Sequence, residues 1–149
     1  YLKNQLSSLT LDSQRASFFI ADAVSMYTNI DTEHALAEIS SFLRTNPLCH
    51  GITTVEATIR GLEILMRNNL FKFGDTSWLQ LTGTAMGTPP ACMYATLYFA
   101  IYEMELLTHF EFSVAFYRRY IDDCFGIWNH HPDPEIDEAN LYRCMRTHA

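Results

Sequence analysis

Two adjacent aspartates, Asp122 and Asp123, lie among apolar neighbours in the stretch YRRYIDDCF at residues 117–125. Neighbouring carboxylates repel one another, and burial of an unpaired carboxylate is unfavourable. A third acid, Asp22, ends the apolar run SFFIAD at residues 17–22. Carboxylate oxygens are the ligands that Mg²⁺ and Mn²⁺ prefer, and two such ions about 4 Å apart support in-line attack at phosphorus. Two interpretations are open: a solvated turn, in which aspartate is common, and a divalent-metal site.

The strands predicted around these acids decide whether the acids can meet. Apolar and alternating patterns predict a short buried strand at 17–22 and two more strands at 114–121 and 124–128, the last two joined at the aspartate pair. In an antiparallel sheet of the βαββ type, the end of the first strand and the tip of this hairpin can be neighbours. The three carboxylates would then lie together, and such a cluster is unfavourable without cations. Spacing alone does not decide between the turn and the metal site.

Capping signals and apolar stripes predict the helices. Asp31 is a suitable N-cap for an amphipathic helix, and Thr53 with Glu56 forms a capping box. Thr88 followed by proline predicts the start of a helix that is apolar nearly all round, which we expect to be buried against a sheet. The predicted elements are helices at 29–44, from Thr53, from Thr88 to about 108 and at 136–147, and hairpin strands at 70–73 and 78–81.

The composition limits the class of protein. A chain of 149 residues with 48% hydrophobic residues suits one domain with a substantial core. The net charge of −7 gives no basic patch that by itself would indicate nucleic-acid binding. The four cysteines are far apart, which favours a reduced intracellular protein, and no signal peptide opens the chain. Glu103 and Glu105 interrupt the most apolar run, so we predict no membrane span.

Three stretches resemble the A, B and C motifs of reverse transcriptases, and they come in the same order. They read FFIADAVSMYTNI at 18–30, LTGTAMGTPPACMYATLYF at 81–99 and RYIDDCFGIW at 119–128. The likeness is greatest to Penelope-like retroelements, whose motifs read much like D-x-x-S-L-Y-T-N-I, G-x-A-M-G-S-P and R-Y-I-D-D. The resemblance covers roughly residues 15–130, and the departures from the pattern spare the three acids. These departures are Met26 for Leu, Thr88 for Ser, Cys92 for Pro and Thr96 for Asn.

The resemblance implies an α+β polymerase palm, in which a ferredoxin-like antiparallel sheet packs on helices. Residues 1–149 would form a single partial reverse transcriptase domain, with the fingers and thumb largely outside the chain. Because the chain starts at Tyr1 and strong patterns run almost to both ends, we expect it to be a piece of a longer protein. The implied activity is that of an RNA-directed DNA polymerase. With this resemblance, a metal site is favoured over a solvated turn at Asp122 and Asp123.

The resemblance also assigns roles to the acids and to the residues that follow Asp22. Asp22 and Asp122 would bridge two Mg²⁺ or Mn²⁺ ions, and Asp123 would be the lesser ligand or an electrostatic partner. Tyr27 would be the steric gate, a ring that leaves no room for the 2′-hydroxyl of a ribonucleotide. The backbone N–H groups expected to lie close to the triphosphate of the incoming dNTP are those of Ala23, Val24, Ser25 and Met26.

A loop and a strand carry the remaining candidate residues. The residues that match a loop beside the incoming nucleotide and the template base are Met86, Gly87 and Thr88. Gly87 has no side chain, so backbone can approach the substrate there. Arg118 and Arg119 could contact nucleic-acid phosphates, although strand alternation puts them on opposite faces. His130 and His131, next to prolines, are interpreted as a solvated loop and not as a metal site.

The implied partners are an RNA template, a DNA primer and dNTPs, together with the fingers, the thumb and any endonuclease domain of the longer protein. Because 17 Asp plus Glu outnumber 10 Lys plus Arg, we expect residues 1–149 alone to bind a primer–template weakly and not to extend it. No membrane partner is implied. The expected location is intracellular, and nuclear if the element is eukaryotic.

Three alternatives remain open. A viral-type RNA-dependent RNA polymerase palm shares the acid motifs, but it generally has an acid five residues after the first aspartate, where this chain has Tyr27. A degenerate palm with a structural or interaction role is opposed by the intact acids. A metal-dependent nuclease would not explain the stretch at 81–99.

Overall fold

The fold is α+β, as the sequence predicts. The computed structural model of the chain describes residues 2–12, 14–49, 54–85 and 87–146. The helices are α1 (Leu2–Ser7), α2 (Thr32–Thr45), α3 (Val55–Arg67), α4 (Ala91–His109) and α5 (Pro134–Arg146), with a short 3₁₀ helix at Pro47–Cys49. The strands are β1 (Ala16–Asp22), β2 (Leu70–Phe73), β3 (Thr76–Leu79), β4 (Val114–Tyr120) and β5 (Asp123–Asn129). Both sheets formed by these strands are antiparallel.

A three-stranded antiparallel sheet holds the candidate acids. Its order is β1–β5–β4, so β5 is the central strand and β1 and β4 lie at the edges. β1 pairs with β5 along its whole length, and this ladder ends with Asp22 opposite Asp123. β4 and β5 form a hairpin whose ladder ends with Tyr120 opposite Asp123. The turn of the hairpin therefore consists of Ile121 and Asp122, and the predicted strand pair is confirmed.

The chain divides into two compact units, and the sheet belongs to the unit formed by residues 1–24 and 106–149. One face of the sheet packs on α5 and on the end of α4 around the buried Trp128. The residues of this core are Leu106, Trp128 and Cys144, with Phe19, Phe110, Val114 and Leu141 packed against them. Gly126 has no room for a side chain, because the ring of Phe19 lies across it. This packing fixes β1 against β5 and so fixes the register of the acids.

The other unit, residues 25–105, contains α2, α3, the β2–β3 hairpin and most of α4. Asp31 is the N-cap of α2, and its carboxylate accepts a hydrogen bond from the N–H of His34 at 2.8 Å, as predicted. Ile39 of α2 is fully buried. Tyr94 of α4 is also buried, and its hydroxyl donates to the carbonyl of Thr32 at 3.2 Å. These contacts join the start of α2 to the start of α4.

The β2–β3 hairpin is confirmed, with a tighter turn than the sequence pattern indicates. β3 begins at Thr76, so Gly74 and Asp75 alone form the turn. Gly74 has a φ of +61°, a conformation that glycine adopts without strain. Large apolar residues are exposed along both strands, namely Leu70, Phe71, Phe73, Trp78 and Leu79.

Several local predictions need correction. β1 is not a buried strand, because Phe18 and Ile20 point away from the core around Trp128 and are 73% and 78% exposed. The helix after Pro89 is not buried all round, since Met93 and Met104 of α4 are exposed.

The start of α3 differs from its prediction, and α1 was not predicted at all. The N-cap of α3 is Thr54, whose side chain makes no capping hydrogen bond, and the predicted cap Thr53 lies outside the described residues. A helix of six residues such as α1 carries too little periodic pattern to be recognised. In the part of the chain that the structure describes, no helix is long and apolar enough to cross a membrane.

Candidate functional site

The three candidate acids lie at adjoining ends of neighbouring strands. Asp22 is the cross-strand partner of Asp123, and the N–H of Ala23 donates to the carbonyl oxygen of Asp122 at 2.9 Å. Because Ala23 and Asp122 are hydrogen-bonded, the pair Asp22–Asp123 is one of the non-hydrogen-bonded pairs of the ladder. In such pairs the Cα atoms are about 4.5 Å apart and the side chains share one face. Two carboxylates placed directly opposite each other repel, which makes this pair mutually unfavourable.

The turn that carries Asp122 has an unusual backbone. Ile121 has a φ of +57°, although a β-branched residue rarely adopts the left-handed region. In a two-residue turn, a positive φ at the first residue but not at the second is typical of type II′, which normally has glycine at the first position. Here that first residue is Ile121. Such strain costs about 1–3 kcal/mol and is often found at functional sites. The guanidinium of Arg119 donates to the carbonyl oxygen of Ile121 at 2.7 Å and supports the turn.

The donor set of this turn suits a hard divalent cation. Asp22, Asp122 and Asp123 are all exposed, and carboxylate oxygens are the ligands that Mg²⁺ and Mn²⁺ prefer. Among the described residues, no three side chains of His, Cys, Asp or Glu are arranged as a ready-made ligand group. The backbone register therefore brings the acids together, while a shared ion would require their exposed side chains to turn toward one another. The predicted cluster of three ligating carboxylates stays a prediction.

Tyr27 lies in a turn that is held by backbone hydrogen bonds within the second unit. Ser25 has a φ of +55°, and its carbonyl accepts from the N–H groups of Thr28 and Asn29 at 3.0 and 3.1 Å. The carbonyl of Tyr27 accepts from the N–H of Thr84 at 2.7 Å. The end of the stretch 18–30 is thus hydrogen-bonded directly to the start of the stretch 81–99, although more than 50 residues separate Tyr27 from Thr84.

Gly83 explains why these two segments can approach so closely. Its N–H donates to the carbonyl of Ile30 at 2.7 Å, and its φ is +76°. A Cβ atom at this position would lie 2.7 Å from the carbonyl oxygen of Tyr27 and 2.8 Å from that of Thr28. Only glycine avoids this collision, so Gly83 is a residue that positions the Tyr27 turn. The sequence alone assigns no such role to Gly83.

The loop after Gly83 is open at the residues that match the nucleotide-contacting motif. Gly87 has a φ of +108°, and no atom lies within 4 Å of the place where a Cβ would stand. The hydroxyl of Thr88 donates to the carbonyl of Ala85 at 3.1 Å, and α4 begins three residues later at Ala91. Met86 lies outside the described residues. The open backbone at Gly87 is compatible with close approach of a substrate.

Of the four N–H groups predicted to face a triphosphate, one already has a partner. The N–H of Ala23 belongs to the β1–β5 ladder through Asp122. Val24 and Ser25 are exposed, whereas the side chain of Met26 is buried and only 3% exposed. Any phosphate contact by this segment would therefore come from the backbone after Ala23.

The two arginines of β4 have different surroundings, as strand alternation predicts. Arg118 is exposed, and its guanidinium lies 4.7 Å from the centre of the Phe116 ring. Its Nε donates to Oε1 of Gln5 at 3.2 Å. Arg119 instead donates to the carbonyl of Ile121 in the acid turn. Arg118 is thus the better placed of the two for an external phosphate, and Arg119 supports the turn.

His130 lies in the predicted loop, but its ring is hydrogen-bonded on both sides and is only partly solvated. Nδ1 of His130 lies 2.7 Å from Oδ2 of Asp137, and Nε2 lies 2.8 Å from the hydroxyl of Ser17. Oδ1 of Asp137 accepts from Nε1 of Trp128 and from the N–H of His131, each at 2.9 Å. Burial raises the pKa of Asp137. The hydrogen bonds from His130, Trp128 and His131 lower it by a larger amount, so that the pKa falls to about 2. The only sequence signal was an acid in the first turn of the last helix.

A comparison of this chain with known protein families found no matching family, and a comparison with curated proteins found no matching protein. The function is therefore argued from the residues and their geometry.

Proposed function

We propose that this chain is the palm of an RNA-directed DNA polymerase, a reverse transcriptase, which transfers nucleotides to a primer 3′-hydroxyl. The observation that carries the proposal is the cross-strand pair of Asp22 with Asp123. Asp122 directly precedes Asp123, and its carbonyl accepts a hydrogen bond from the N–H of Ala23. These acids come from two segments that are 100 positions apart in the sequence. A hairpin turn at residues 121–122 would not by itself require an acid at the end of β1. A cation-binding function accounts for that acid.

The acids and their turn would hold the catalytic ions and orient the reacting groups. Two Mg²⁺ or Mn²⁺ ions held by Asp22, Asp122 and Asp123 would activate the primer hydroxyl and offset the charge of the triphosphate. Arg119 donates to the carbonyl of the strained Ile121, and this bond supports the role of the turn as a fixed platform. A fixed platform matters because catalysis at phosphorus depends mainly on positioning and charge.

Tyr27 is the residue that we assign to sugar discrimination. Its carbonyl is bonded to Thr84, and Gly83 packs against the same turn without a side chain. These contacts support the role because they hold the backbone from which the ring of the gate residue projects. The viral-type RNA polymerase alternative expects an acid at this position to accept a ribose hydroxyl, and a tyrosine ring offers no such acceptor pair.

Gly87 and Thr88 complete the proposed nucleotide-binding residues in the second unit, with Met86 between Ala85 and Gly87 in the sequence. The open space at Gly87 supports an approach of substrate to the backbone. On the first unit, the exposed guanidinium of Arg118 is proposed to contact template or primer phosphate. The remaining basic surface would come from the fingers and thumb that the resemblance implies, since this chain is acidic.

The test is primer extension by a protein that carries this chain together with fingers and thumb. Asp22→Asn removes one carboxylate charge at nearly constant shape, so RNA-templated dNTP incorporation should fall below detection. Asp75→Asn in the β2–β3 turn makes the same chemical change at an aspartate outside the three motifs and should leave incorporation unchanged. Circular dichroism would check that both variants are folded. Retention of near-native extension by Asp22→Asn would refute the assignment.

A further inference from the structure

A serine, a histidine and an aspartate form a continuous hydrogen-bonded chain at the far end of β1 from Asp22. They are Ser17 of β1, His130 in the loop after β5 and Asp137 of α5, with contacts of 2.8 and 2.7 Å. Ser17 is five positions from Asp22, which is about 17 Å along an extended strand. Strand alternation also puts these two side chains on opposite faces of the sheet. The cluster is therefore separate from the acid turn and is not used in the proposed polymerase reaction.

The hydrogen bonds of Asp137 determine which nitrogen of His130 carries the proton. Asp137 is ionised at neutral pH, and a carboxylate can only accept hydrogen bonds. Nδ1 of His130 must therefore be the donor to Oδ2 of Asp137. In the neutral ring, Nε2 is then left as an acceptor, and the hydroxyl of Ser17 donates to it. This is the proton arrangement of a serine nucleophile with its general base and an orienting acid.

Burial is graded along the chain in the direction that such a site requires. Ser17 is exposed, the side chain of His130 is 39% exposed and that of Asp137 is 17% exposed. Trp128, which is 1% exposed, holds Oδ1 of Asp137 from the core side. The nucleophile is thus accessible from solvent, while the orienting acid is sheltered and held by a buried donor.

A backbone donor lies next to Ser17 on the free edge of the sheet. The N–H of His130 donates to the carbonyl of Arg15, so these two residues form a hydrogen-bonded pair of the β1–β5 ladder. Every second pair of an antiparallel ladder is hydrogen-bonded, so the pair of Ser17 with Trp128 is hydrogen-bonded too. By this alternation, the N–H and C=O of Ser17 face β5, and the N–H of Phe18 faces the outer edge. No described strand pairs with that edge. An N–H directly after a nucleophilic serine is a typical donor to the oxyanion of an acyl intermediate.

We propose that Ser17 is the nucleophile of a second site, which accepts acyl groups from small carboxylic esters. The Ser17 oxygen attacks the ester carbonyl carbon while its proton passes to Nε2 of His130. The ester C–O bond then breaks, and the leaving alkoxide takes that proton from His130. Water attacks the resulting acyl-serine by the same route, which releases the carboxylic acid and restores Ser17. Asp137 positions the ring and stabilises its protonated form throughout.

The reactivity of Ser17 distinguishes this site from a purely structural network. A structural network would hold α5 against the sheet but would leave Ser17 no more reactive than any other surface serine. A fluorophosphonate probe and p-nitrophenyl acetate report the difference, because both react with an activated serine. We expect mass spectrometry to find the phosphonyl group on Ser17, and Ser17→Ala to abolish both labelling and ester hydrolysis.

Asp137→Asn provides the sharpest variant, since it preserves shape but changes the proton arrangement. The asparagine Oδ1 can still accept from Trp128 and His131, while its amide would donate to Nδ1 of His130 and move the ring proton to Nε2. Loss of the general base should slow labelling roughly 100-fold or more. Glu138→Gln, which makes the same carboxylate-to-amide change at the neighbouring exposed position of α5, is the matched control and should label at the wild-type rate. Absence of labelling in folded wild-type protein, or equal labelling of wild type and Asp137→Asn, would overturn the proposal.

Discussion

Replacement of Gly83 by alanine tests the contact that positions the Tyr27 turn. The substitution adds one methyl group in a backbone conformation, φ +76°, which costs a non-glycine residue about 1–2 kcal/mol. The new Cβ would also lie 2.7 Å and 2.8 Å from the carbonyl oxygens of Tyr27 and Thr28 and 2.9 Å from the Cα atom of Thr28. All three are backbone atoms, so no side-chain rotation can relieve the collision.

The expected loss of stability follows from these contacts. Overpacking of this kind costs about 1–3 kcal/mol, because the backbone must shift. Such a shift would weaken the bonds from Gly83 to Ile30 and from Thr84 to Tyr27, each worth about 1 kcal/mol. With the backbone strain included, Gly83→Ala should lower the free energy of unfolding by roughly 3–5 kcal/mol, which is large for a single methyl group.

Gly74→Ala is the matched control for this substitution. Gly74 has a similar φ of +61° in the β2–β3 turn, but no atom lies within 4 Å of the place where its Cβ would stand. It should therefore show the backbone strain alone, about 1–2 kcal/mol. Urea denaturation followed by tryptophan fluorescence would give both free energies, with the slope of the transition as a check on two-state behaviour. If the two variants lost equal stability, the close packing of Gly83 on the Tyr27 turn would be refuted.

Two further substitutions test the sugar gate and the Asp137 network. In an active enzyme, Tyr27→Ala should lower the ratio of kcat/KM for dGTP to kcat/KM for GTP on an RNA template. Tyr27→Phe keeps the ring and should leave this ratio unchanged. An equal ratio in the wild type and both variants would refute the assignment of Tyr27 as the steric gate. The folded-state pKa of Asp137 is lowered from 3.8 to about 2, so its contribution to stability is present above about pH 4 and is lost as the pH falls toward 2. That contribution is about 2 kcal/mol. The free energy of unfolding should therefore change less between pH 5 and pH 2.5 in Asp137→Asn than in the wild type. An identical change in both proteins would contradict the lowered pKa of Asp137.

The elements that carry the acids could be predicted because their signals are local. An apolar run that ends at Asp22 and two runs joined at residues 122–123 have the length and pattern of strands, and the structure confirms them. The cap at Asp31 was equally local, since a side chain and an N–H three residues later suffice. The register was not predicted; in the structure it is set by Phe19 and Trp128, which a shift of one residue would turn away from the core.

The features that escaped prediction depend on contacts between distant parts of the chain. The Ser17–His130–Asp137 chain needs a strand, a loop and a helix to meet, and none of the three residues has a distinctive sequence neighbourhood. The close approach at Gly83 depends on the backbone of Tyr27, which lies more than 50 residues earlier. The positive φ of Ile121 runs against the preference of the residue, so local propensity indicates the wrong conformation there.

The central proposal is that this chain is the palm of an enzyme that synthesises DNA on an RNA template. The most direct measurement is single-nucleotide incorporation on an RNA template with a DNA primer and Mg²⁺, by a protein that carries this chain with fingers and thumb, with dGTP and GTP supplied separately. The proposed function predicts Mg²⁺-dependent incorporation with a higher kcat/KM for dGTP than for GTP. A preference for GTP would favour an RNA-dependent RNA polymerase, and a folded protein that incorporated neither nucleotide would contradict the claim.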